Sequence, residues 1–137
     1  MERPKARHVL VAAAVAGTIS GAPSTIHAIA TGRSPLAAAR AAGALLGKPS
    51  LVRGAVAHLA ITLWWASVLA AALPRGREVP GGVAAAVGIH GLDLGVVGRR
   101  IAPIAELPQL PQLLDHLAFG AATGATLAWC RAQDGAP

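Results

Sequence analysis

The side chains in this sequence able to bind a proton or a metal ion are few, and most of them lie inside apolar stretches. His27, His58, His90 and His116 fall one to each of four such stretches, with Asp93 shortly after His90 and Asp115 beside His116. Imidazole titrates near neutrality and a carboxylate is costly in hydrocarbon, so ionisable groups inside a membrane span mark a functional path by default. Their relative depth follows from parity: odd stretches end at the surface where even ones begin. His27 comes late in the first stretch, and His58, Asp115 and His116 come early in the second and fourth, so all four lie toward one surface. His90 and Asp93 lie deeper, which makes a polar file from that surface toward mid-membrane.

Three chemistries fit the file. Imidazoles and a carboxylate at similar depth suit zinc or copper, and a facing pair suits haem through two axial nitrogens. None of these residues has the i, i+4 or two-residue spacing that makes a metal motif specific. His27, His58 and His116 are therefore weak ligand candidates, and no cofactor is expected. A proton or small-cation path along the His and Asp groups is the alternative. The leading expectation is plainer: Asp93 pairs with Arg99, Arg100 or a histidine, and the histidines tie helix ends together in a structural or assembly protein. Nothing points to an enzyme, since the serines lack a nucleophile elbow and no glycine-rich loop has the Walker or dinucleotide pattern.

Composition supplies the setting. The chain is 54% hydrophobic and 13% charged, where a soluble domain carries about 25% charged residues. Several of its apolar stretches are long enough to cross ~30 Å of hydrocarbon. The net charge of +6 comes without any basic block, which suits anionic lipid headgroups and not nucleic acid. The lone Cys130 permits no internal disulfide.

These features predict an all-α polytopic membrane protein forming a single domain. Its four transmembrane helices are expected over about 9–30, 51–73, 83–102 and 113–130, with a short interfacial or re-entrant helix over 35–47. The first stretch also reads as a signal peptide, with a Val9–Gly17 core and Ala28-Ile-Ala30 as a cleavage site. Pro23 should kink it, and Ser24 or Thr25 can cover the freed carbonyl. Ser34 before Pro35 reads as the cap of the interfacial helix. The loop over 101–114 holds Pro103, Pro108 and Pro111 and breaks the helix. Trp64 and Trp65 lie near mid-span, where they fill space or, more sharply, give Asp93 an indole N–H. Trp129 reads as an interface anchor.

Small-residue pairs mark where helices should approach: Gly17 and Gly21, Gly120 and Gly124, and above all Gly88, Gly91, Gly95 and Gly98 opposite the polar face of the third span. That span is expected to be the most buried, leaving lipid and a second copy or another membrane protein as partners. Both termini fall on one side, and the basic leader places that side in the cytoplasm of the inner membrane. The Lys and Arg residues otherwise divide evenly between the two sides.

Gly21-Ala-Pro-Ser-Thr25 with His27, then Gly32-Arg-Ser-Pro-Leu-Ala-Ala38, and Asp115-His-Leu-Ala-Phe-Gly120 resemble landmarks of small uncharacterised four-helix bacterial membrane proteins. The composition is similar to that of GC-rich, actinobacterial-like members. The resemblance implies the architecture and carries no activity to any residue.

Overall fold

A computed structural model describes residues 5–134, and among them every regular element is helical. Helix α1 (Ala6–Ile19) stops at Ser20-Gly21, and α2 (Ala22–Ala30) starts afresh with Pro23 in its first turn. The expected kink thus falls at Ser20-Gly21, where two turn residues interrupt the helical stretch. Ser24 Oγ donates to the Gly21 carbonyl at 3.3 Å, an acceptor that Thr25 N also reaches at 3.1 Å, so the serine does not cover the carbonyl that Pro23 frees. Helix α3 (Ala37–Ala42) runs into a 3₁₀ turn, Gly43–Leu46. It begins later than expected: Ser34 Oγ accepts from Leu36 N in the turn before it, and Leu36 holds the cap position without a side-chain cap bond.

Helix α4 (Leu51–Ala72) opens on Ser50, whose Oγ accepts from Arg53 N. After a turn at Gly76, α5 (Glu78–Leu92) passes into a π-helical turn over Asp93–Val97 and a 3₁₀ turn over Gly98–Arg100. Helix α6 (Ala102–Ala105) is one turn long, and α7 (Gln109–Asp134) runs 26 residues. The stretch 101–114 is not one continuous helix, as its prolines predict: Pro108 lies in the break between α6 and α7, while the other two sit in first turns, where a missing N–H costs little. Pro103 opens α6 and Pro111 lies near the start of α7.

Three helical stretches are long and apolar enough to cross a membrane: Ala6–Ala30, Leu51–Ala72 and Glu78–Arg100. Helix α7 has the length, ~39 Å at 1.5 Å per residue, but carries Gln112, Asp115 and His116 as well as Arg131 and Asp134. Its polarity explains its position: it lies against α1, α2, α4 and α5, which shield it. The most enclosed helix is therefore α7 and not the third span. Leu127 and Thr123 on α7 are the largest fully buried side chains, and Phe119 and Leu127 join Ala12, Ala16, Leu69 and Ile89 in the core. Large apolar side chains such as Leu10, Ile26, Val52, Leu59, Val87 and Val96 face outward.

The glycines expected to carry the closest contact do not. A methyl added at Gly88, Gly91 or Gly95 would meet nothing within 4 Å, and the same holds at Gly21. Gly98 faces Ile104, and Gly17 faces Thr62 on α4 at 2.9 Å. The tight crossing lies nearer the start of α5, where Gly82 abuts Gly120 and the Gly124 face meets the backbone of Glu78 and Val79. A second contact of this kind seats α3 on α4, with Gly54 against the Ala39 carbonyl and Gly43 against Ser50.

Both described ends meet: Asp134 accepts from Lys5 at 2.8 Å and from Arg7, and His8 Nε2 is 3.1 Å away. The hydrogen bond from Lys5, aided by the nearby positive charges, holds the Asp134 carboxyl below the usual carboxylate range. The contribution of this cluster is thus complete above the ordinary carboxylate value and is lost as pH falls through the native one.

Unfolding of the detergent-solubilised protein should rank these contacts. Gly82→Ala or Gly120→Ala is expected to cost ~1–3 kcal/mol through collision with the facing backbone, and Gly91→Ala to be neutral or stabilising by under ~1 kcal/mol. Asp134→Asn should destabilise at neutral pH, and its difference from the wild type should close as pH drops below about 4.

Candidate functional site

The π-helical turn positions the site. In α5 the wheel puts His90 and Asp93 on one side, and the i to i+5 bond from Gly98 N to the Asp93 carbonyl then admits one extra residue. An extra residue rotates everything after it by ~100° relative to a continuous α-helix. Asp93 and His90 stay turned toward α7, while Arg99 and Arg100 swing to the exposed surface.

Asp93 accepts a hydrogen bond from Trp65 Nε1 on α4 at 3.0 Å, and His116 Nε2 on α7 lies 3.7 Å from the same oxygen. The indole partner named as the sharper reading of Trp65 is the one observed. Its neighbour Trp64 is 64% exposed and points away. The other nitrogen of His116, Nδ1, donates to the Gln112 carbonyl at 2.8 Å, which fixes the tautomer of a neutral ring. Such a ring turns the lone pair of Nε2 toward the Asp93 carboxylate. His90 packs edge-on against His116 with ring centroids 5.1 Å apart, and its buried Nδ1 has no hydrogen-bond partner.

The rest of the polar file is divided among other helix pairs. Asp115 Oδ1 accepts from Ser24 N at 2.8 Å. Ser24 is in the first turn of α2, whose own cap residue Gly21 offers no side chain, so Asp115 caps α2 from a different helix. His58 Nε2 donates to the Gly17 carbonyl at 2.8 Å near the end of α1. His27 lines a crevice of about 360 Å³ beside α3. His27, His58 and His116 are not brought to one point, and no cluster of three His, Cys, Asp or Glu side chains suited to a metal occurs among the described residues.

Sequence reasoning missed one buried pair. Arg131 on α7 donates to Glu78 Oε1 at 2.9 Å and to the Ala70 and Leu73 carbonyls, so it closes the C-terminal end of α4 as well. Glu78 is 5% exposed. Parity places the start of the third span and the end of the fourth at one surface, which was the available signal.

The cap reading separates two substitutions. Asp115→Leu removes the side-chain cap of α2 and should cost ~1–2 kcal/mol, while Asp115→Asn, which keeps an acceptor oxygen, should cost well under half of that. Thermal unfolding in detergent measures both.

No family model, curated protein or solved structure matches the chain.

Proposed function

We propose that the chain is a four-span protein of the bacterial inner membrane, with cytoplasmic termini, that serves as a structural or assembly component and not as an enzyme. In this reading α7 is the fourth span, carried through the bilayer inside a jacket of the three apolar helices. The observation that supports it is the way the polar file is used. Asp93 joins α5 to α4 and α7, Asp115 joins α7 to α2, His58 joins α4 to α1, and Arg131 joins α7 to α5 and α4. These four groups are each tied to at least one other helix, which is what holds register in hydrocarbon. The Gly82–Gly120 crossing sets backbone against backbone between the same two helices, which supports a packing role for the polar groups beside it.

A second reading, a proton or cation path, is favoured by one feature. His90 Nδ1 is buried without a partner beside a carboxylate–imidazole pair at a π-helical turn, and such turns recur at functional sites. Proton flux in liposomes loaded with a pH-sensitive dye separates the two. The structural reading expects flux equal to that of empty liposomes for the wild type and for Asp93→Asn, with Asp93→Asn lowering stability. Wild-type flux abolished by Asp93→Asn would replace it with the transport reading.

A further inference from the structure

The crevice beside α3 combines two kinds of wall. Arg33, Arg40, Ser24 and Gln112 supply donors, and Pro35, Ala38, Ala41, Pro103 and Leu107 supply an apolar side. Among the described residues neither the Arg33 nor the Arg40 guanidinium has a hydrogen-bond or ion-pair partner. Glu106 is the one carboxylate on the wall. Two guanidinium groups against one carboxylate leave a single net positive charge, matching an amphiphile with a single net negative charge. The neighbouring elements repeat the sign, since Lys48 and Arg53 flank the start of α4 and Arg99 and Arg100 directly precede α6, and both of those helices pack on α3.

A guanidinium pair is suited to phosphate, whose oxygens take paired N–H donors, and the apolar wall is suited to the glycerol backbone and first chain carbons. We propose that this crevice binds the headgroup of a singly charged anionic phospholipid, of the phosphatidylglycerol type, with its phosphodiester held between Arg33 and Arg40. The site lies where the helical ends would meet the headgroup layer. Its walls also carry Ser24 and Gln112, whose backbone groups hold Asp115 and His116, so the occupied crevice braces the segment that positions the inner cluster. The proposal rests on the membrane reading.

The test uses the full chain, delipidated in mild detergent, with thermal unfolding followed as short-chain phosphatidylglycerol is added. Short-chain phosphatidylcholine, phosphatidylethanolamine and inorganic phosphate are the comparisons. At saturation phosphatidylglycerol should raise the wild-type midpoint by about 5 °C or more. The shift should vanish in Arg33→Gln/Arg40→Gln and persist in Arg99→Gln, whose charge lies outside the crevice. An equal shift with the zwitterionic lipids or with inorganic phosphate, or a shift retained by the double variant, overturns the proposal. Should the double variant fail to fold, native mass spectrometry of the wild type decides: one phosphatidylglycerol retained per chain against excess phosphatidylcholine supports it, and unselective retention overturns it. A chain that stays in solution without detergent defeats the membrane reading itself, whereas a detergent-dependent chain indifferent to phosphatidylglycerol defeats only this proposal.

Discussion

Where α5 crosses α7 the two backbones touch, and the rest of the fold depends on that approach. Gly82, Gly120 and Gly124 leave no side chain between the helices, so attraction there comes from many short van der Waals contacts that a lipid chain could not match. The crossing fixes the separation and register of the pair. At one end it brings Glu78 to Arg131; at the other it brings His90 and Asp93 to His116. A wider crossing would leave both polar sets unmatched.

Helix α7 is the unusual member of the bundle because it is polar along much of its length and still central. Its neighbours resolve the conflict. Trp65 on α4 reaches Asp93 across the bundle, the first turn of α2 takes Asp115, and the carbonyl-rich end of α4 takes Arg131. These bonds satisfy groups that hydrocarbon would leave bare, at a cost of several kcal/mol each. They also make the helix order specific, since apolar faces alone would accept many arrangements.

The all-helical fold, three helices long and apolar enough to cross a membrane and the meeting of the two described ends were legible in apolar length, prolines and parity. The indole partner of Asp93 was legible only as one of two uses for Trp64 and Trp65, the other being to fill space, and spacing did not say which of the two reaches Asp93. The contact face of α5 was not. Gly88, Gly91 and Gly95 offer the spacing of a close contact as well as Gly82 does, and sequence spacing cannot tell which glycine face finds a neighbour. Nor does any local signal mark the π-helical turn at Asp93–Val97, which sends Arg99 and Arg100 outward after the wheel had placed Arg100 beside Asp93. The cap of α2 by Asp115 is a tertiary event, invisible until two distant segments are packed.

The central claim is that the buried polar groups act as links between helices. A double-mutant cycle on Trp65 and Asp93 measures this most directly, using Trp65→Phe, Asp93→Asn and the double variant in equilibrium unfolding from mixed micelles. The account predicts that the two substitutions are coupled by at least ~1 kcal/mol, the double variant losing much less than the sum of the singles. Additive losses, agreeing within ~0.3–0.5 kcal/mol, would contradict it.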